Sequence, residues 1–186
     1  ISPRERRKMT PETVVTFWIE AGPKSWFAKD DAFDADLRTH FEAAHLAAAR
    51  GAFADWEENA EGALALLLLT DQIPRNIYRG SAHAFATDAM ARETCRRVIA
   101  RGFDQAFEPA LRCFFYLPLE HSEAMEDQDR SVELFEALAD GEYLKYAIVH
   151  RDIIARFGRF PHRNAVLGRV TTAEEQAFLD GGGFSG

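Results

Sequence analysis

The sequence predicts an all-α protein, and three observations support this prediction. Apolar residues recur at helical spacing along most of the chain, as in the stripe of Val14, Val15, Trp18 and Ile19. Glycine and proline separate these stripes at short intervals, which is where helices start and stop. No stretch alternates convincingly between polar and apolar residues, so no β-sheet is predicted.

Each predicted helix has its own start or stop signal. The first begins with Thr10 as its cap and with Pro11 at the first helical position, where the missing amide of proline costs nothing. The third is rich in leucine and apolar on nearly all sides, which predicts a central position, and Pro74 should end or kink it near Gln72. A capping box at Thr172 starts the last helix. The other predicted helices start at Asp31, Ser81, Pro109, Ser122 and Glu142.

The short connections between these seven or eight helices predict antiparallel helical hairpins in one compact domain. Helix pairs of this length are typical of an α-solenoid-like or helical-bundle architecture, although no strict repeat is visible. We expect the domain to span residues 10–180. Flexible segments are expected at residues 1–9 and 181–186.

Composition and charge exclude several classes of partner. The net charge of −8 argues against a general nucleic-acid binder and gives little attraction to anionic membranes.

The longest apolar run, Ala63–Leu69, is much shorter than the roughly 20 residues that a membrane span needs. Cys95 and Cys113 have apolar neighbours, which predicts buried reduced thiols. No apolar segment follows the basic residues 1–8, so we expect no signal peptide and a soluble, cytoplasmic protein.

A local basic cluster stands out in this acidic chain. Between Arg151 and Arg169 there are five arginines and one acid, and guanidinium groups suit carboxylate or phosphate ligands. Two corners, Pro74–Asn76 and Pro161–Asn164, share proline, arginine and asparagine, which also fits two devices that end helices. The stretch Glu120–Glu142 holds nine acids and one arginine. If this acidic run pairs with the basic cluster, the arginines are structural instead.

His121 is the strongest candidate for acid/base chemistry, because Glu120 or Glu123 could orient its imidazole. The same stretch is equally explained by Ser122 as a helix cap with Glu123 near the helix N-terminus. A metal site of His121 and Glu123 with His150 or His162 has no recognised zinc spacing, so neither a metal nor a cofactor is predicted. His150 is expected to face or border the core.

Three segments resemble the signatures of a bacterial family, domain of unknown function 924. They are Leu66–Asn76 (LLLLTDQIPRN), Phe115–Glu123 (FYLPLEHSE) and Arg156–Asn164 (RFGRFPHRN). Phe17–Trp18 and Trp26–Phe27 are also similar to this family. The resemblance covers almost the whole chain and implies an all-α, tetratricopeptide-like fold, but it implies no activity.

These patterns leave three hypotheses for the function. The first is a domain that binds an anionic small molecule or peptide group. The second is a hydrolase in which His121 or His162 is the general acid/base and Glu120 orients it. The third is a protein interaction module without a small-molecule site. The predicted ligand-binding residues are Arg75, Asn76, His121, Arg159, His162, Arg163 and Asn164.

Overall fold

The computed structural model describes residues 9–186, and within them it contains helices and no strand, which confirms the predicted all-α class. The predicted flexible segment over residues 1–9 lies, except for Met9, outside the described residues. None of the helices within residues 9–186 is long and apolar enough to cross a membrane. The α-helices are α1 (Pro11–Ala21), α2 (Pro23–Trp26), α3 (Asp31–Ala49), α4 (Ala60–Leu67), α5 (Ile73–Ile77), α6 (Asp88–Ala100), α7 (Pro109–Glu120), α8 (Met125–Leu138), α9 (Gly141–Phe157) and α10 (Ala173–Asp180).

The contacts divide the chain into two compact units. Unit 1 comprises the described residues up to Arg79 together with His83–Pro118. Unit 2 comprises Gly80–Ala82 and Leu119–Gly186. A single domain over residues 10–180 and a tetratricopeptide-like arrangement stay predictions.

The first helices of unit 1 are held together by two tryptophans. Helix α1 begins as predicted, because the Thr10 hydroxyl accepts a hydrogen bond from the Thr13 amide. The rings of Trp18 and Trp26 are stacked with their centroids 6.1 Å apart. The indole N–H of Trp26 also donates to the Trp18 carbonyl at 2.7 Å. Both side chains are buried, so this pair fixes the turn between α1 and α2.

Two outcomes were predicted for Pro74, an end or a kink of the helix near Gln72, and the end is wrong because the helical run of unit 1 continues past this residue. Helix α4 continues through a π turn into α5. Because Pro74 has no amide hydrogen, the Leu69 carbonyl at π spacing and the Thr70 carbonyl at α spacing face a residue without a donor. Side chains replace that donor. The His45 Nδ1 atom lies 2.8 Å from the Leu69 oxygen, and the Thr87 hydroxyl donates to the Thr70 oxygen at 2.6 Å.

Three helices begin later or with another cap than predicted. Helix α3 is capped by the Asp30 carboxylate, which accepts from the amides of Ala32 and Phe33. Ser122 does not cap α8, because its hydroxyl donates to the Asp127 carboxylate at 2.6 Å and the helix begins three residues further on. A short 3₁₀ turn precedes α6, which starts later than expected. The predictions were a cap at Asp31, a helix start at Ser81 and a cap at Ser122.

Helices α8 and α9 of unit 2 form a helical hairpin with a two-residue turn. Ala139 adopts a left-handed conformation with φ of 60°, which reverses the chain. The Asp140 carboxylate then caps α9 by accepting from the amides of Glu142 and Tyr143. The two helices pack against each other along their length. Helix α10 begins with the predicted capping box at Thr172.

We predict that Gly62→Ala destabilises unit 1. Gly62 lies in the first turn of α4, and a Cβ atom there would lie 2.0 Å from the Trp56 carbonyl oxygen, which is backbone and cannot move aside. We expect a loss of about 1–3 kcal/mol in the free energy of unfolding, measured by urea denaturation, as for other overpacked sites. Gly141→Ala is the matched control, because a Cβ atom there meets nothing within 4 Å. Equal stability of the two variants would contradict the prediction.

Candidate functional site

The predicted ligand residues Arg75 and Asn76 lie in unit 1, where both make internal polar contacts. The Arg75 guanidinium donates to both carboxylate oxygens of Asp88, at 2.8 and 2.9 Å, and to a carboxylate oxygen of Asp71 at 3.2 Å. Asn76 is buried and donates to the Asp34 carboxylate at 2.8 Å. These contacts tie α5 to neighbouring parts of unit 1, and ligand binding by the two residues stays a prediction.

The predicted residues Arg159 and Asn164 lie in unit 2 and share one carboxylate. Arg159 donates to both oxygens of Glu175, at 2.7 and 2.9 Å, and Asn164 donates to the same group at 3.1 Å. The Thr172 amide is a further donor at 2.8 Å. The hydrogen bond from Arg159 lowers the pKa of Glu175 to about 2. These four hydrogen bonds fasten the segment 159–164 to the start of α10.

The basic cluster also meets the acidic run, as one of the sequence alternatives predicted. Arg169 donates to both carboxylate oxygens of Glu123, at 2.8 and 3.0 Å. The Phe160 amide donates to the same carboxylate at 2.8 Å. Other arginines of the cluster pair with acids of α10, as Arg156 does with Glu174. Much of the basic cluster is therefore structural, and Glu123 is occupied by protein donors.

The candidate site centres on His150, which the sequence analysis placed at the border of the core. Its Nδ1 atom lies 2.8 Å from the Tyr146 carbonyl oxygen, one turn earlier in α9, and 3.2 Å from a carboxylate oxygen of Glu120. Both side chains are buried. Glu120 thus contacts His150, whereas the sequence analysis assigned it to His121 or His162. The spacing of four residues between Tyr146 and His150 is the only sequence signal for this arrangement.

His121, His162 and Arg163, three of the predicted site residues, surround His150. The rings of His121 and His150 have centroids 6.3 Å apart, and the Phe160 ring lies 5.5 Å from His150 and 5.7 Å from His162. Arg163 donates to the His121 carbonyl at 3.0 Å and lies over the Phe160 ring at 4.5 Å. We call His121, His150 and His162 the histidine cluster.

Burial keeps the His150 imidazole neutral. Burial lowers the pKa of this imidazole to about 3, and the positive charges that His121, Arg163 and His162 can carry act in the same direction. The neutral ring donates its Nδ1 hydrogen to the Tyr146 carbonyl, so its Nε2 atom carries the lone pair. His150 can therefore accept a hydrogen bond or a proton at Nε2.

The chemistry of the cluster is that of nitrogen bases, a guanidinium and one carboxylate. Within residues 9–186, no group of three or more histidine, cysteine, aspartate or glutamate side chains has an arrangement that could hold a metal ion. Cys95 and Cys113 lie in unit 1 as buried reduced thiols that donate to backbone carbonyls. The arrangement in unit 2 suits binding of an anion or transfer of a proton.

Sequence comparison assigns most of the chain to one family. The profile of the family described as bacterial protein of unknown function (DUF924) matches residues 14–183. The chain belongs to this family. A comparison with curated proteins gives no match. The resemblance inferred from the three motifs is therefore confirmed, and DUF924 membership brings no assigned activity.

A solved structure is similar to this DUF924 chain over nearly its whole length. It is the protein of unknown function ATU0120 from Agrobacterium tumefaciens, which is 50% identical in sequence. The match covers 92% of this chain and 97% of that chain, with a TM-score of 0.90. The all-α fold is thus shared by a protein that is identical to this chain at half of the compared positions.

We predict that this DUF924 protein loses stability as the pH falls below about 6.5. The folded state holds His150 with a lowered pKa, whereas the unfolded chain takes up a proton near pH 6.5. The stabilising contribution is complete above pH 6.5 and is lost on acidification, by up to about 1.4 kcal/mol per pH unit for one histidine. Burial also lowers the pKa of His45 in unit 1, which adds to the slope.

The measurement is the free energy of unfolding in urea between pH 7.5 and pH 5, as a series on the wild type and on His150→Gln. The variant should show a shallower slope, whatever its stability at pH 7.5. Replacement of the exposed His40 by glutamine is the matched control for exchanging an imidazole for an amide. Identical slopes for wild type and His150→Gln would show that His150 is not held neutral.

Proposed function

We propose that unit 2 binds a small anionic group at the histidine cluster. The observation that supports this proposal is the convergence of His121, His162 and Arg163 on one buried, neutral imidazole, where all three act to lower the pKa of His150. Several positive or protonatable groups near one buried position favour a negative ligand. A carboxylate or a phosphate fits best, because a guanidinium and imidazole N–H groups donate to their oxygens in a defined geometry.

The proposal divides the predicted residues by role. Arg163, His121 and His162 contact the ligand, with His150 as an acceptor beside them. Arg159 and Asn164 support the turn that carries His162 and Arg163, since Glu175 holds both of them. Arg75 and Asn76 lie in unit 1 with acidic partners of their own, so a structural role is favoured for them.

We expect phosphate or a small carboxylate to raise the melting temperature of the wild type, because a ligand that binds only the folded state stabilises it. Arg163→Gln and His162→Gln should each lose most of this increase. Arg156→Gln is the matched control, since Arg156 belongs to the same basic cluster but is an exposed partner of Glu174. The measurement is thermal unfolding with sodium phosphate, sodium acetate or sodium chloride at equal ionic strength.

An increase that is the same with chloride, or that survives in both Arg163→Gln and His162→Gln, would contradict the proposal. Isothermal titration calorimetry of phosphate and acetate provides a second readout that does not depend on the stability of the variants. Circular dichroism shows whether Arg163→Gln keeps its helices, and His162→Gln tests the site without removing the buried guanidinium.

A hydrolase is the second candidate, and the contact between Glu120 and His150 favours it. A buried carboxylate beside Nδ1 orients an imidazole and stabilises its protonated form, which is the arrangement of general acid/base catalysis. In this candidate His150 joins His121 and His162 as a proton acceptor for an attacking water, with Arg163 near the charge that develops. The interaction-module alternative stays a prediction.

We expect Glu120→Gln to lower kcat for any ester that the protein hydrolyses by about 100-fold, the lower end for loss of acid/base assistance. The assay uses p-nitrophenyl acetate and p-nitrophenyl phosphate, with Glu133→Gln on the exposed face of α8 as the control. The pH profile of kcat should change in Glu120→Gln but not in Glu133→Gln. Equal rates for the two variants and the wild type would exclude this candidate.

A further inference from the structure

Three aromatic rings in unit 2 contact one another around a fourth, that of Phe184. The Phe184 ring lies 4.5 Å from the His150 ring and 5.4 Å from the His162 ring, measured between centroids. The Phe160 ring also contacts both imidazoles, from the fully buried side. Phe160 is therefore the floor of this ring slot, the two imidazoles are its walls, and the partly exposed Phe184 fills it.

Glycines bring Phe184 to this position. The Gly182 amide donates to the Leu179 carbonyl, and the Gly183 amide donates to the Phe178 carbonyl at 3.0 Å, so the chain folds back on α10. Gly182 has φ of 78°, which favours glycine. At Gly183 a Cβ atom would lie 2.6 Å from the Phe178 ring and from its carbonyl oxygen. No larger residue fits there without moving the segment away.

The last residue of the same segment, Gly186, also lies against the His162 ring. A Cβ atom at Gly186 would lie 3.2 to 3.3 Å from the edge of the His162 ring. The segment Gly181–Gly186, which was predicted to be a flexible tail, thus places its one aromatic side chain against the histidine cluster. Its flexibility stays a prediction, and we call it the covering segment.

We propose that Phe184 is an intramolecular occupant of the anion site and that the ligand that displaces it is an aromatic carboxylate. This inference rests on the proposed function and adds the class of ligand and a means of regulation. Phe184 shows that the slot accepts a phenyl ring between two imidazoles in tilted and edge-to-face contacts, which aromatic pairs prefer. Arg163 is the group that would bind a carboxylate on such a ring. Its guanidinium lies 4.5 Å from the centroid of the Phe160 ring, which is the floor of the same slot.

Two features of the chain favour release of Phe184 from the ring slot. Phe184 is only partly buried, and it follows three consecutive glycines whose backbone gains much freedom when the segment is released. A ligand that needs the slot binds only the fraction of molecules in which Phe184 has left it, so the apparent affinity is reduced by that fraction. The covering segment therefore sets the affinity of the site without touching the anionic group itself.

The experiment compares the wild type with the Phe184→Ala and Gly183→Ala variants. Benzoate is the aromatic probe and acetate is the probe that lacks a ring. Opening of the slot is followed by the rate at which diethyl pyrocarbonate modifies His150 and His162, resolved by mass spectrometry with the exposed His40 as the internal reference. Affinity is followed by calorimetric titration. Val170→Ala, at a residue that is 85% exposed, is the control variant.

We expect both variants, but not the control, to raise the modification rates of His150 and His162. Phe184→Ala should also bind benzoate about tenfold more tightly than the wild type, as removal of a competing state requires. Acetate affinity should change much less. Benzoate should protect the two histidines from modification.

Unchanged modification rates in Phe184→Ala and Gly183→Ala would overturn the covering role. Faster modification without any gain in benzoate affinity over acetate would overturn the aromatic class of the ligand. If modification is faster but neither probe binds any variant, the anion site fails while the covering segment stands, so the two proposals fail in distinguishable ways.

Discussion

The candidate site in unit 2 depends on the carboxylate of Glu175. This buried group accepts hydrogen bonds from Arg159, Asn164 and the Thr172 amide, and thereby joins the segment before the 3₁₀ turn at Pro161–Arg163 to the start of α10. A carboxylate has about four acceptor positions, and here protein donors use them. Without it the buried Asn164 amide would lose an acceptor, which is costly, and the partly exposed Arg159 guanidinium would lose its ion pair. The turn that carries His162 and Arg163 is therefore fixed by a residue that takes no part in the proposed chemistry.

In unit 1, too, buried polar groups need hydrogen-bond partners, but there backbone acceptors lack a donor. Pro74 removes an amide hydrogen in the middle of a buried helical run, and the freed carbonyls of Leu69 and Thr70 must be satisfied internally. His45 and Thr87 do this from α3 and from the residue before α6. The motif around Pro74 is thus a joint between three helical segments. It resembles the motif around Pro161 in composition, and in each motif the arginine donates a hydrogen bond to a backbone carbonyl, Arg75 to Asp71 and Arg163 to His121.

Local signals in the sequence predicted the helices well and their polar partners poorly. Thr10 and the Thr172 capping box were found because both partners of each cap lie within one turn. The predicted end of the helix at Pro74 was wrong because the freed Leu69 carbonyl is satisfied by His45, far away in sequence. His150 is buried, as expected for the core border, but its carboxylate partner Glu120 could not be predicted because it lies on another helix, at the end of α7. Residue types can mark a segment as functional, but the pairing of a buried base with its orienting acid is a property of the tertiary fold.

The state of His150 gives the clearest argument that the cluster is more than packing. Burial opposes protonation of His150, and the positive charges that His121, Arg163 and His162 can carry act in the same direction, whereas the Glu120 carboxylate beside Nδ1 favours the protonated form. A bound anion reverses this balance, since it stabilises the positive form of every ring near it. In the proposed function, binding of the anion therefore raises the pKa of His150 and favours uptake of a proton. Acid weakens the empty site and strengthens the filled one, so the same residues that cost stability in the free protein become the source of affinity.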